Sequence, residues 1–148
     1  MKKTALFISF CFLVFISNAQ RSKITSAAIK DDVVKGIDAK YDSYKKIALQ
    51  IWEYAEVGYK EQKSSALLQQ TLQSSGFTVE AGVAGIPTAF VATYGSGKPV
   101  IAILAEFDAL PGLSQQAIPE KKAVAGKDAG MVAVIICLAQ LPLQQVLK

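Results

Sequence analysis

Two carboxylates occupy a place where chemistry can be done. Glu106 and Asp108 follow the apolar run Val100-Ile101-Ala102-Ile103-Leu104-Ala105, and Pro111 closes the segment. A continuous apolar run reads as a strand covered on both faces, as in the middle of an α/β sheet. In open α/β sheets, ligands bind beyond the carboxyl ends of the strands. Side chains two residues apart on a strand point to the same side. A pair so placed can bind a hard cation, orient a metal-bound imidazole or move a proton. A solvated strand end with acids in a turn has the same pattern, so on this segment alone both readings stand.

The other groups that such a site needs are missing. The 148 residues contain no His and two Cys, Cys11 and Cys137. That set cannot build a conventional structural zinc site, and the segment between the two cysteines has none, so no disulfide framework is expected. The style of the chain also changes at Gly130. Up to Gly126-Lys127-Asp128-Ala129-Gly130 it reads as an ordinary α/β enzyme. It then runs Met131-Val132-Ala133-Val134-Ile135-Ile136-Cys137-Leu138 and on to Lys148. If one base is lost just after the Gly130 codon, the degenerate codons for Met131–Lys148 allow, in the original frame, H-G-C-G-H-H-L-F-G-T-A-S-A-A-A-G-I-K. That string carries a Cys and His residues in metal-ligand spacing, followed by small residues suited to a packed helix.

The elements that would position the carboxylates follow from periodicity. Val33, Ile37, Tyr41, Tyr44, Ala48, Ile51, Trp52 and Ala55 recur at three- and four-residue steps and predict one long helix from about Lys30 to Ala55, ended by Gly58. A second helix is expected from about Lys60 to Ser75, with Leu67, Leu68, Thr71 and Leu72 inward and Gly76 as its stop. Phe77-Thr78-Val79 reads as a short extended piece. Gly82–Pro87 reads as a loop, and Thr88–Tyr94 as a strand with a tight turn at Gly95-Ser96-Gly97. Residues Gly112–Gly130 read as loop.

Length and composition allow one domain at most. Met1–Ala19 has the form of a secretory signal peptide: Lys2 and Lys3, an apolar stretch Ala5–Ile16, and a small residue before Gln20. Ala5–Ile16 is too short for a comfortable membrane span, so export to the periplasm or the exterior, with no stable span, is expected. The hydrophobic content of 51% is raised by this segment and by the tail. The net charge of +4 comes from 16 basic and 12 acidic residues, with no basic block carrying interleaved aromatics, which argues against nucleic acid as a partner.

Several motifs in order resemble one known family. Ile51-Trp52-Glu53-Tyr54-Ala55-Glu56-Val57-Gly58-Tyr59-Lys60-Glu61, then Ser64-Ser65 and Leu72 to Gly76-Phe77, resembles the opening of the di-zinc aminoacylase and carboxypeptidase superfamily. Gly85-Ile86-Pro87-Thr88-Ala89-Phe90 and Ala105–Gly112 are similar to its amidohydrolase branch, which includes aminobenzoyl-glutamate hydrolases, and Gly126–Gly130 resembles the lead-in to that branch's metal loop. The resemblance covers about Ile51–Gly130. It implies an α/β fold, here the N-terminal portion of a zinc-aminopeptidase-like catalytic domain with helices flanking a mixed sheet, incomplete. It also implies a division into a signal peptide (1–19), the catalytic-domain part (20–130) and an aberrant tail (131–148).

The resemblance carries function residue by residue. Asp108 matches the aspartate after the buried strand that orients a metal ligand. Glu106 matches the position two residues earlier, where many relatives have a metal-binding His and this branch has an acid. Glu53 and Glu56 are read as surface charges. The implied family chemistry is amide hydrolysis of small N-acyl or N-aroyl amino acids. Two zinc or similar divalent ions activate a water, and a Glu beside them moves its proton. Within the re-read string, the Cys and the His two residues later would be ligands. The family's base and remaining ligands lie beyond this chain, and Val, Ile and Met offer no donor to zinc. The chain as translated is therefore expected to bind no metal and to be inactive. The competing reading is a small exported protein with a complete fold and a non-catalytic binding or structural role.

Overall fold

The computed structural model describes residues 26–131. The expected signal peptide at 1–19 and the tail after Met131 lie outside the described residues. The chain divides into two units, Met1–Asp31 and Asp32–Lys148. Of the first, only residues 26–31 are described, and they are helical. The second carries the mixed α/β fold.

Helix α1 spans Ser26–Asp38 and buries no residue. Helix α2 spans Tyr41–Tyr54. The single long helix expected from Lys30 to Ala55 is thus two helices. Lys40 leaves the helical region at φ −109° and ψ 4°, with its N–H donating to the Ile37 carbonyl at 3.0 Å. The apolar period runs through the break undisturbed, so the pattern cannot reveal it. Gly36 and Asp38 are weak helix formers, and the break places Asp42 in the first turn of α2, where a negative charge is favourable. The stop also differs from expectation. Ala55, at φ 47°, caps α2 in the left-handed region, three residues before Gly58.

Helix α3, Gln62–Ser74, buries Ser64, Ser65, Leu68 and Leu72. Its end is as expected. Gly76, at φ 89°, lets the Phe77 N–H reach the Leu72 carbonyl at 3.1 Å and its own N–H reach the Gln73 carbonyl at 2.9 Å. This is a Schellman closure, with the usual apolar contact between the flanking side chains: Leu72 and Phe77 form one core cluster. Strand β1 (Thr78–Ala81) then pairs antiparallel with β2 (Phe90–Thr93), Thr78 opposite Thr93 and Ala81 opposite Phe90. Val79, Phe90 and Ala92 pack on the Leu72–Phe77 cluster. A short 3-10 turn, Val83–Gly85, joins the strands.

The second core cluster is Ile51, Leu68, Ala109 and Met131, with Trp52, Ala55, Phe90 and Phe107 packed around it. It draws in the distal half of the chain. A two-residue strand β3 (Leu110–Pro111) pairs antiparallel with β4 (Ala129–Gly130), closing the loop between them. Gly130 packs so tightly that a Cβ there would lie 2.7 Å from the Leu113 carbonyl oxygen.

The strand expected at Val100–Ala105 is not formed. Val100, Ile101 and Leu104 are 83%, 65% and 89% exposed, and no strand among the described residues pairs with them. An apolar run becomes a buried strand only if neighbouring strands and covering helices reach it. The β1–β2 ladder ends at Thr93, and β3 begins at Leu110.

Candidate functional site

Asp108 reaches its place through backbone pairing. After α2 the chain turns at Val57–Lys60, with the Lys60 N–H on the Val57 carbonyl at 3.0 Å and Tyr59 at φ 65°. Val57 forms a parallel bridge with Ala109, and the Ala109 N–H donates to the Glu56 carbonyl at 2.7 Å. Ala109 is 1% exposed, which anchors the segment while Asp108 stays exposed.

The bridge sets Asp108 beside Gly58. A Cβ at Gly58 would lie 3.7 Å from Asp108 Oδ2 and 3.9 Å from Glu61 Oε1. Two carboxylates therefore converge over a residue with no side chain. Glu61 is buried, at 8% exposed. Its other oxygen, Oε2, accepts from the Thr88 hydroxyl at 2.7 Å, while the Thr88 carbonyl accepts from Ser65 Oγ at 2.7 Å. The start of β2 is thereby tied to the first turn of α3.

Glu106 is not drawn into this group. It is exposed, and no hydrogen bond joins it to Asp108 or Glu61 among the described residues. Glu61, and not Glu106, is the carboxylate that shares the neighbourhood of Gly58 with Asp108. Glu61 sits in a polar stretch, Lys60-Glu61-Gln62-Lys63, and nothing in its spacing marks it as buried. The nearest signal is the small, polar Ser64-Ser65 pair, which lets another strand approach the helix start.

Glu56, read from sequence as a surface charge, caps α3. Its carboxylate accepts from the Lys63 N–H at 3.0 Å, the Ser64 N–H at 2.8 Å and the Ser64 hydroxyl at 2.9 Å. Partial burial pushes its pKa up. The hydrogen bonds from the Ser64 and Lys63 backbones and the Ser64 hydroxyl, with the Lys63 charge, pull it down further, and the net direction is down. Side-chain acceptors at helix starts satisfy N–H groups that the helix leaves open, and an anion there is favoured by the helix dipole. Glu56 thus holds α3 with its side chain and Ala109 with its carbonyl.

A shallow groove lies apart from these groups and is lined by Asp42, Lys45, Lys46, Glu53, Lys63 and Lys127 among others. Lys127 donates to the Glu53 carbonyl, and Lys63 stands 5.7 Å from the centre of the Tyr54 ring. Both ammonium groups serve the C-terminal end of α2, where positive charge is favourable.

The donors near Asp108 do not fit a zinc centre. Zinc takes nitrogen, thiolate or carboxylate donors in tetrahedral sets. No group of three or more His, Cys, Asp or Glu that could hold a metal ion occurs among the described residues, and one of the two carboxylates here already holds Thr88. The arrangement can orient a neighbouring group or accept a proton.

No family model matches the chain. Curated relatives do. The chain is 52% identical over 81 residues to one subunit of the p-aminobenzoyl-glutamate hydrolase of Escherichia coli (strain K12), a match covering 55% of this chain and 17% of that protein. It is 45% identical over 67 residues to thermostable carboxypeptidase 1 of Saccharolobus solfataricus, covering 44% of this chain and 17% of the relative. Thermostable carboxypeptidase 2 of the same organism is 43% identical over a span of the same length. Over the matched part, this similarity supports an aminobenzoyl-glutamate hydrolase-like family of amidohydrolases and carboxypeptidases. That part spans about one sixth, 17%, of the length of each of these relatives. Among the described residues no helix is long and apolar enough to cross a membrane.

Proposed function

We propose that residues 20–130 are the N-terminal part of an exported metal-dependent amidohydrolase that acts on N-acyl or N-aroyl amino acids. We further propose that the product as translated does not catalyse that reaction, because a frameshift after Gly130 replaces its metal loop. The single observation that carries the reading is the 52% identity to an aminobenzoyl-glutamate hydrolase subunit over 81 residues. The frameshift rests on the re-reading of Met131–Lys148, which restores His-Gly-Cys-Gly-His-His at the point where the resemblance calls for metal ligands.

Asp108 is assigned the role of orienting a metal ligand. Its support is an exposed carboxylate on an anchored backbone, beside Gly58. Glu106 is assigned to the same acid-tipped segment without a direct contact to the reacting atoms. In the whole enzyme two divalent ions, zinc or similar, would activate the water. This chain's own part is to hold Asp108 in place through the Glu56 carbonyl and the Val57 bridge, both made to Ala109.

The test is a metal-titration and turnover assay with an aroyl-glutamate, on two proteins: the chain as translated, and the chain continued in the restored frame. The expected outcome is metal-dependent hydrolysis by the restored protein and none by the translated one. Turnover by the translated chain would contradict the proposal. A second reading, a small exported protein with a non-catalytic binding or structural role, is favoured by one observation. Met131, the first residue of the altered tail, is 2% exposed and packs with Ile51, Leu68 and Ala109.

A further inference from the structure

We propose that Trp52 is a positioning residue: its indole N–H latches the hairpin 110–130 onto α2 and thereby seats residue 131 against Ala109, the neighbour of Asp108. The hairpin is braced along its length. At its base Leu110 pairs with Gly130, and the Gly112 N–H donates to the Asp128 carbonyl at 2.7 Å. Further out, Ser114 Oγ donates to the Val124 carbonyl and accepts from the Val124 N–H, each at 2.9 Å. The Gln116 N–H donates to the Lys122 carbonyl at 2.8 Å. The Gln115 side chain closes the tip: Nε2 donates to the Glu120 carbonyl at 2.7 Å, and Oε1 accepts from the Lys122 N–H at 3.0 Å. Bonds repeated from tip to base make the two arms one cooperative unit.

The latch holds each arm once. Trp52 Nε1 donates to the Gln115 carbonyl on the outgoing arm at 2.9 Å. On the returning arm the Lys127 ammonium donates to the Glu53 carbonyl. Two consecutive residues of α2 thus grip both arms. The indole N–H is a donor only, and a Trp set against a core needs an acceptor held in place for it. The antiparallel register runs from Gly130, opposite Leu110, to residue 131 at Ala109. Met131 packs there, 2% exposed, with Ile51, Leu68 and Ala109. Trp52 therefore acts at a distance, through the hairpin, on the first residue that follows Gly130. The latch belongs to the chain in either frame; its use in catalysis rests on the reading that ligands are encoded after Gly130.

The experiment reads the seat of residue 131 by peroxide oxidation of Met131 in the purified full chain. Peroxide passes one oxygen to the thioether sulfur and leaves as water, and peptide mapping by mass spectrometry separates Met131 from Met1, the other methionine. Rates are taken from zero to sub-denaturing urea for the unaltered chain, Trp52→Phe, Lys127→Leu and Thr88→Val. Trp52→Phe keeps an apolar ring and loses the N–H. Its Met131 should oxidise about fivefold faster, the scale of one hydrogen bond, at a rate flat in urea, because local opening exposes little surface. Lys127→Leu should act in the same way. Thr88→Val, whose hydroxyl serves Glu61 and not the hairpin, should expose Met131 only through global unfolding, with a rate that climbs with urea. An unchanged rate in Trp52→Phe overturns the proposal, and so does a rise that climbs with urea as in Thr88→Val. If circular dichroism shows Trp52→Phe unfolded, Lys127→Leu decides by the same two criteria. The frame after Gly130 is read separately, from the gene, so failure of the latch and failure of the frameshift reading are distinguishable.

Discussion

At the scale of single residues, Glu56 does the most to hold the candidate site together, and its behaviour is open to test. Glu56→Ala should destabilise the fold by about 1 kcal/mol, the usual value of a helix cap, measured by urea denaturation at neutral pH. The pH dependence has a definite sign. The folded-state pKa of Glu56 is lowered, so its contribution is fully present above the ordinary glutamate range and is lost as pH falls through the lowered value. Acidification should therefore narrow the stability gap between the original chain and Glu56→Ala; a gap unchanged down to strongly acid pH would refute the capping role. Thr88→Val removes the hydroxyl that satisfies the buried Glu61 oxygen and should cost about 1–3 kcal/mol in the same assay. Tyr44→Phe points the other way. The Tyr44 hydroxyl is buried without a hydrogen-bond partner among the described residues, and burial raises its pKa, so deleting it should leave stability unchanged or slightly increased.

At the scale of elements, local chemistry is legible in the sequence and long-range pairing is not. The end of α3 can be read because a Schellman closure is written in one short stretch, Leu72 to Phe77, with the glycine it requires. The extended pieces of β1 and β2 can be read because a Gly- and Pro-rich link separates them. The break between α1 and α2 leaves no mark, since the apolar face continues in phase across Ala39 and Lys40. Asp108 is conspicuous because it follows an apolar run, yet the reason it is well placed, the Val57–Ala109 bridge, joins segments far apart in sequence. Glu61 and Glu56 escape notice for the same cause: their partners Thr88 and Ser64 lie outside the spacing of a capping box. The run Val100–Ala105 misleads because its apolar character specifies what it needs, cover on both faces, and does not supply it. The turn after α2 offers a test at this scale. Tyr59 is 74% exposed and held at φ 65°, so Tyr59→Gly should relieve backbone strain and raise stability by about 0.5–1 kcal/mol, with loss of stability as the contrary outcome.

At the scale of the whole molecule, the fold has a core and an unfinished edge. Two small clusters, one around Ile51 and one around Leu72, hold α2, α3, the β1–β2 pair and the closing loop, while the apolar run Val100–Ala105 stays outside them. This is the state expected of a catalytic-domain segment whose covering parts are elsewhere, and it accords with a match to one sixth of each relative's length. The candidate site has the same character: a carboxylate on an anchored backbone, a second one near the same glycine, and no set of donors for a metal among the described residues. The central proposal is that a ligand loop is encoded where Met131–Lys148 is translated. Sequencing the gene through and beyond the Gly130 codon tests it most directly. The displaced frame should spell His-Gly-Cys-Gly-His-His, stay open past the codon for Lys148, and go on to further His and Glu ligand motifs. Early stop codons in that frame, or a downstream sequence that encodes no such ligands in any frame, would contradict it.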